Sequence, residues 1–175
     1  LHDALPISMI DLDPGSKIEH VIAAAPETRW LLTTRQGFGF ATRISDMTSR
    51  QRAGKQFVTI DDKDALLRPV PVFSDSIYVA LFSSRARLLV IALEEIKNMT
   101  GGGRGTILIG LDAPDTLAQT IPLSAKGMRV TGTYRNKQVE DILSGPAIHP
   151  YLSKRARKGK LLDIRSKEPV LSPVL

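Results

Sequence analysis

Cysteine is absent from this sequence, which excludes disulfide bridges and thiolate metal sites and is typical of a reducing compartment. Aromatic side chains are scarce, with one Trp, three Tyr and five Phe among 175 residues. The core must therefore be built mainly from Val, Ile and Leu, which favour β-strands. Because 42% of the residues are hydrophobic, the chain can still form the core of one ordinary domain.

Long apolar segments are missing too. The longest uninterrupted aliphatic run is Leu88–Leu93, far short of the roughly 18 residues that a membrane-spanning helix needs. The sequence also lacks a basic-then-apolar leader with a small-residue cleavage site. It therefore predicts neither a transmembrane segment nor export.

Catalytic constellations are missing as well. The histidines and tyrosines are isolated from other chemistry-bearing side chains; they are His2, His20, His149, Tyr78, Tyr134 and Tyr151. The aspartates Asp61, Asp62 and Asp64 lack the spacing and the terminal Glu of a calcium loop, so they predict a solvated turn. The glycine-rich run 101–106 lacks the lysine and the long helix of a phosphate-binding P-loop. We therefore expect no catalytic residue, metal or cofactor on this chain.

Positive charge, in contrast, is abundant and is gathered in turns. Lys and Arg number 24 against 18 Asp and Glu, which gives a formal net charge of +6 and a pI near 9.8. This balance favours a polyanionic partner, nucleic acid first, and a uniformly basic surface is the alternative.

Three stretches share one form, a basic glycine-centred turn that runs into an apolar strand; they are 49–60, 99–109 and 154–164. Their recurring glycines, Gly54, Gly105 and Gly159, lie 51 and 54 residues apart. A hairpin-like pair of apolar runs precedes each turn: Trp30–Thr34 with Phe38–Arg43, Tyr78–Phe82 with Leu88–Leu93, and Arg129–Thr133 with Lys137–Ile142. A strand-rich repeat of about fifty residues indicates a propeller-like array.

The repeat predicts an all-β fold, a propeller-like array of about three units. Its units run over about 9–72, 73–123 and 124–165, and 166–175 are expected to form a loosely ordered tail. Residues 1–8 are set aside as an assembly artefact or a disordered leader, because codons for them match a common sequencing adapter.

Further elements are predicted around the hairpins. Met9–Leu12, Lys17–Ala25 and Phe57–Ile60 are expected to be strands, and Ile44–Met47 a single helical turn. Leu66–Val72 is expected to be an edge strand, because its two prolines cannot donate hydrogen bonds to a neighbouring strand.

Several short motifs resemble one known family. They are Asp13-Pro14-Gly15, Glu19-His20-Val21, Leu31-Leu32, Gly37-Phe38-Gly39-Phe40, Arg52-Ala53-Gly54-Lys55 and Lys158-Gly159. Over Met9 to about Ile164 the chain resembles the C-terminal domain found in the A subunits of bacterial DNA topoisomerase IV and gyrase. The run 51–56 is a degenerate version of the Q-R-R-G-G-K-G box of gyrase, which favours the topoisomerase IV branch.

The resemblance implies a β-pinwheel of about three four-stranded blades, an open fragment of a larger ring. The basic rim of such a pinwheel binds and bends duplex DNA. It further implies an ATP-hydrolysing type II topoisomerase, an isomerase that supports decatenation, supercoil relaxation and chromosome segregation. In that family two ATPase B subunits join two A subunits in a heterotetramer, which uses Mg²⁺ and ATP, and the catalytic core lies upstream of this domain. The implied location is cytoplasmic and nucleoid-associated, with peripheral inner-membrane association in the family.

Two functions are compatible with the residues. The first is double-stranded DNA binding by cations of the turns, which are Arg50, Arg52, Lys55, Arg85, Arg87, Arg104, Arg135, Lys137, Lys154, Arg155, Arg157, Lys158 and Lys160. The alternative is a propeller-type interaction scaffold whose basic loops bind an acidic protein. Periodic placement of the cations favours a regularly spaced polyanion such as DNA. We also expect the cations of the first turn, Arg50, Arg52 and Lys55, to stand without a carboxylate neighbour.

Overall fold

The computed structural model describes residues 11–164 and 166–174, which fold into three antiparallel sheets. The strands are β1 Arg29–Thr33, β2 Phe38–Arg43, β3 Val70–Val72, β4 Tyr78–Ser83, β5 Arg87–Ala92, β6 Thr106–Ile107, β7 Leu117–Leu123, β8 Met128–Tyr134, β9 Lys137–Leu143, β10 Lys160–Leu161 and β11 Lys167–Pro173. One helical turn, α1 Ile44–Met47, and three 3₁₀ turns, Leu93–Glu95, Gly145–Ala147 and His149–Tyr151, complete the secondary structure of this part of the chain. The all-β prediction is confirmed.

The three predicted hairpins are present as β1–β2, β4–β5 and β8–β9. The last one closes through Arg135 and Asn136, whose φ angles of 48° and 63° are those of a two-residue turn that matches strand twist. The predicted helical turn at Ile44–Met47 is confirmed as α1.

Each of the first two sheets is completed by a strand from the next unit. β6, which follows the second basic turn, pairs with β2, and β10, which follows the third basic turn, pairs with β5. The resulting orders are β3-β1-β2-β6 and β10-β5-β4-β7, and the third sheet has the order β11-β8-β9 within the described residues. Strand exchange of this kind is the arrangement that a β-pinwheel requires.

The middle sheet is buried on both faces, which explains its uninterrupted apolar sequence. Alternate residues of β4 enter different cores: Val79 and Leu81 pack with the first sheet, whereas Ala80 and Phe82 pack with the third. Because side chains of a strand alternate between faces, a strand with two buried faces has no polar position. This double burial makes the run Leu88–Leu93 hydrophobic.

One edge of every sheet lies against its neighbours, and we call this the inner edge. β3 and β11 both contact β7 there. The Gln119 side chain bridges two sheets, since its Nε2 donates to the Pro169 carbonyl at 3.0 Å and its Oε1 accepts from the Leu171 amide at 2.8 Å. The hydroxyls of Thr33 and Thr120 share a buried hydrogen bond of 3.1 Å. β6 and β10 therefore lie on the opposite, outer edge.

The inner-edge strands each contain a proline, a regularity that the sequence shows at a spacing of 51 residues. Pro71, Pro122 and Pro173 lie in β3, β7 and β11, respectively. Proline is tolerated on an edge strand because no partner needs its missing N–H. The edge position predicted for the strand ending at Val72 is confirmed, although that strand begins only at Val70.

Three predictions about strands differ from the structure. Lys17–Ala25 is an irregular, largely exposed segment, and Phe57–Ile60 forms only an isolated bridge between Val58 and Gly103. Both segments have apolar alternation, but neither has a sheet in the described residues to join. The tail expected at 166–175 contains β11, which pairs with β8 and buries Leu171. The predicted strand Met9–Leu12 lies partly, and residues 1–8 lie wholly, outside the described residues.

Alanine substitutions at two glycines test how tightly the second basic turn packs against β2. Gly54 and Gly105 have φ angles of 74° and 82°. An added Cβ at Gly105 would lie 2.4 Å from the Gly39 carbonyl oxygen of β2, whereas at Gly54 it would meet nothing within 4 Å. We expect Gly54→Ala to lower the free energy of unfolding by about 1–2 kcal/mol, the cost of a left-handed conformation. Gly105→Ala should lower it by about 2–5 kcal/mol, because overpacking against β2 is added.

Urea titration of the two variants and the unchanged chain measures this difference. Equal losses of stability for both variants would show that the approach of the second basic turn to β2 is not tight in solution.

Candidate nucleic-acid interface

The three basic turns have one backbone design. Gly54, Gly105 and Gly159 all have positive φ, at 74°, 82° and 71°. An added Cβ at Gly159 would lie 2.7 Å from the Leu88 carbonyl oxygen of β5. As at Gly105, the clash is with the strand that pairs with the strand following the turn. The glycines of the turns therefore repeat in conformation, and the second and third turns lie at the outer edge because β6 and β10 start from them.

Backbone hydrogen bonds connect successive basic turns. The Gly103 amide donates to the Phe57 carbonyl at 2.8 Å, and the Thr59 amide donates back to Gly103 at 3.1 Å. One unit later, the Ala156 amide donates to the Leu108 carbonyl at 2.8 Å, and the Gly110 amide donates to Arg157 at 2.9 Å. The three turns thus form one continuous rim, called the basic rim below, whose spacing is set by the main chain.

Each basic turn contains at least one cation that pairs with a carboxylate. Arg52 pairs with Asp11 at 3.5 Å, Arg104 pairs with Asp61, and Lys158 pairs with Asp112 at 2.6 Å. The expectation that the first turn has no carboxylate neighbour is therefore wrong for Arg52, because the fold brings it next to a residue that is distant along the chain. All these side chains remain substantially exposed.

The aspartates of these pairs are a repeated feature that sequence reasoning missed. Asp61 and Asp112 lie at the same offset, seven residues, after Gly54 and Gly105. Each pairs with the residue immediately before the recurring glycine of the next unit, Arg104 or Lys158. This common offset from the glycines is visible in the sequence. It identifies Asp61 as a residue at the junction between two units.

A second repeated aspartate supports the tips of the first and second hairpins. Asp64 accepts a hydrogen bond from the Gln36 amide at 3.0 Å, and Asp115 accepts from the Arg85 amide at 3.1 Å and the Ser84 hydroxyl at 2.9 Å. Burial alone would raise the pKa of Asp115, but hydrogen bonds from Ser83, Ser84 and backbone amides outweigh it and lower that pKa. The tip that carries Arg85 is therefore anchored by an ionised carboxylate.

Other predicted cations are held by neutral groups. The Lys55 ammonium donates to the Asp46 carbonyl and lies 5.3 Å from the centre of the Phe57 ring, and Arg104 lies 5.5 Å from the centre of the Phe38 ring. Neither kind of contact neutralises a positive charge. The Lys55 ammonium therefore stays available to an anion, whereas the Arg104 guanidinium is also paired with Asp61.

The third basic turn also contacts the preceding unit. Lys154 lies 3.9 Å from a Glu95 carboxylate oxygen, and the Arg155 amide donates to the same carboxylate at 3.0 Å. The Arg155 guanidinium donates to the Ile107 carbonyl of β6 at 3.2 Å. In the part of the chain that the structure describes, Arg50, Arg157 and Lys160 have no carboxylate at ion-pair distance.

The tip of the second hairpin meets the third basic turn. Arg85, Arg87, Lys158 and Asp112 line a cavity of about 260 Å³ between the second hairpin tip and the third basic turn. Arg87 reaches the turn directly, since its guanidinium donates to the Gly159 carbonyl at 3.3 Å. The tip of the third hairpin, with Arg135 over the Tyr134 ring and Lys137, makes no such contact among the described residues.

The described residues contain no cluster of three or more His, Asp or Glu side chains that could hold a metal ion. They likewise contain no helix of the length and apolar character that a bilayer crossing requires.

Comparison with known proteins identifies the family. The family model described as DNA gyrase C-terminal domain, beta-propeller, matches residues 29–72 and 78–124. The chain belongs to this family. It is 30% identical over 177 residues to the A subunit of DNA topoisomerase 4 from Neisseria gonorrhoeae, covering 97% of this chain and 22% of that protein. The same-named protein of Haemophilus influenzae is 22% identical over 159 residues, covering 87% of this chain and 21% of that protein.

Solved structures of the DNA gyrase C-terminal domain family have the same fold. The Escherichia coli ParC C-terminal domain superposes with a TM-score of 0.79 at 20% identity, covering 94% of this chain and 69% of that one. A DNA gyrase A C-terminal domain superposes with a TM-score of 0.67 at 16% identity, covering 91% and 53%. The β-pinwheel prediction is confirmed, and the chain spans about a fifth of the length of the two relatives named above.

The anchored hairpin tip gives a pH-dependent prediction. Because the pKa of Asp115 is lower in the folded state than its ordinary value of 3.8, its stabilising effect is fully present above that value and is lost as pH falls through the folded-state pKa. We expect Asp115→Asn to lower the free energy of unfolding by about 1 kcal/mol at pH 7, a hydrogen-bond value reduced for partial exposure. The difference from the unchanged chain should shrink towards pH 3.

Urea titrations at pH 7 and pH 3 measure the effect, and Asp62→Asn, an exposed position on the preceding acidic turn, is the matched control. A difference that stays constant between the two pH values would contradict an ionised Asp115 anchor.

Proposed function

We propose that this chain binds double-stranded DNA along the basic rim, as part of the DNA-binding C-terminal domain of the A subunit of a type II topoisomerase. The observation that carries this proposal is the backbone connection between successive basic turns, which sets cations at regular intervals along one edge. A duplex presents phosphates at regular intervals too, so repeated cations on a stiff edge suit it.

Phosphate contacts supply the affinity in this proposal. Arg50, Arg157 and Lys160 offer charges without a carboxylate partner in the described residues, and Arg85 and Arg87 offer two more beside the third turn. Contacts of this kind position a duplex without reading its sequence. We therefore propose binding that depends little on base sequence.

We propose that the duplex bends when it binds to the rim. The units of a pinwheel are rotated relative to one another, so a duplex that contacts all three basic turns must curve. Bending a site of 20–30 base pairs costs about 1–6 kcal/mol, which several phosphate contacts can offset. The proposal therefore includes bending.

The whole-protein role is proposed from the named relatives. Both relatives are A subunits of DNA topoisomerase 4. We propose that this chain belongs to a protein of the same kind, which acts in a heterotetramer of two A subunits with two ATPase B subunits, using Mg²⁺ and ATP. That enzyme would serve decatenation, supercoil relaxation and chromosome segregation at the nucleoid in the cytoplasm.

A basic scaffold for an acidic protein is the competing function. It also uses cations, but it has no need for their periodic arrangement along a continuous edge. Binding of random-sequence duplex with a salt dependence that follows the rim cations separates the two functions.

Bending is tested with a duplex of about 30 base pairs that carries a donor and an acceptor dye at its ends. We expect energy transfer to rise on binding, because curvature brings the ends together. Unchanged transfer at saturating protein would rule out bending and leave only binding.

The contribution of single cations is tested by the salt dependence of binding. Each phosphate neutralised contributes about 0.9 to the slope of log affinity against log salt. We expect Arg157→Ala and Lys160→Ala each to flatten that slope by about this amount and to weaken binding uniformly across sequences. Fluorescence anisotropy with random-sequence duplex at several salt concentrations measures the slope.

Arg129→Ala is the matched control, because Arg129 lies on β8 and pairs with Glu140 within one hairpin, away from the basic turns. Slopes that fall equally in all three variants would indicate a general charge effect. Lower thermal stability with an unchanged slope would show that the rim cations support the fold instead.

A further inference from the structure

The ion pairs at the unit junctions use the same cations that the proposed DNA contact needs. Arg104 and Lys158 are bound to Asp61 and Asp112, which belong to the preceding unit. A carboxylate and a phosphate are both oxygen acceptors that compete for the same donors. A phosphate can therefore contact these cations only if it replaces the aspartates that are bound to them.

The pairs are exposed, so they are easily broken. The side chains of Lys158 and Asp112 are 63% and 71% exposed, and those of Arg104 and Asp61 are 45% and 47% exposed. Exposed pairs of this kind are weak and are screened by salt. A polyanion that offers several contacts at once can therefore replace the aspartates.

The junctions do not depend on the pairs for their shape. Next to Asp61, the backbone is held by the two hydrogen bonds between Gly103 and the segment at Phe57 and Thr59. Next to Asp112, the Gly110 amide is bound to the Arg157 carbonyl. An aspartate side chain can rotate away while the backbone around it stays in place.

An anion site is already formed beside Asp112. The cavity of about 260 Å³ is lined by Arg85, Arg87 and Lys158 together with Asp112 and Asp115. Hydrogen bonds hold the Asp115 carboxylate at the hairpin tip. The Asp112 carboxylate is therefore the one that can rotate out of the cavity. Its departure would leave three cations around a solvent-filled space.

We propose that Asp61 and Asp112 occupy phosphate positions of the basic rim in the absence of DNA and are displaced when a duplex binds. This inference rests on the proposed DNA binding and adds its regulation: the aspartates lower affinity for short or weakly charged anions. The rim then favours a long polyanion that can displace both carboxylates together.

The test compares duplex binding by Asp61→Asn, Asp112→Asn and the double variant with the unchanged chain, at several salt concentrations. Removing a competitor should raise affinity about two- to five-fold per site, the range set by the strength of an exposed pair. The salt slope should stay unchanged, because the freed cations contact phosphate in the unchanged chain as well. Asp112→Glu retains the competitor and should bind as the unchanged chain does.

Glu140→Gln is the matched control, since it removes one carboxylate from the exposed Arg129 pair within a single hairpin. An equal gain in Glu140→Gln, or unchanged or lower affinity in both aspartate variants, would overturn the displacement. A slope steeper by about 0.9 per aspartate variant would also overturn it, because the pairs would then persist in the unchanged complex.

The same titrations separate this inference from the proposed function. If the unchanged chain does not bind duplex DNA, both proposals fail. If it binds and Arg157→Ala flattens its salt slope, the proposed function stands, and the aspartate variants decide the displacement alone.

Discussion

A strand that leaves its own unit and completes the preceding sheet is the contact on which the rest of this structure depends. β6 pairs with β2 and β10 pairs with β5, so neither of the first two sheets is complete without the following basic turn. This strand exchange needs a glycine at position 105, because any side chain there would collide with the Gly39 carbonyl. The position of the cations is therefore a consequence of sheet completion.

The inner and outer edges perform different tasks because their interactions differ. At the inner edge, Gln119 and Thr120 make buried or half-buried hydrogen bonds between sheets, which tie one unit to the next. At the outer edge, the side chains are charged and exposed, and main-chain hydrogen bonds such as that of Gly103 join the turns together with exposed ion pairs. The buried contacts between sheets thus lie near the inner edge, and the exposed charges lie at the outer edge.

Local features were predictable from the sequence, and features that need a distant partner were not. The hairpins follow from alternation and turn chemistry, and they were predicted correctly. Phe57–Ile60 has the pattern of a strand but no sheet to join in the described residues, so propensity alone was misleading. β11 was taken for a tail because two prolines lie in it, although an edge strand tolerates proline.

The aspartates of the rim show why charge is harder to predict than fold. Arg52 and Asp11 are separated along the chain by a whole hairpin, and only the folded first unit brings them together. A count of charges near one turn in the sequence therefore overestimates the number of cations that have no carboxylate partner. Salt screens exposed charges over about 10 Å at 0.1 M, but it leaves buried apolar packing and main-chain hydrogen bonds nearly unchanged. The cations of the rim can consequently exchange one anion for another without any change in the backbone that spaces them.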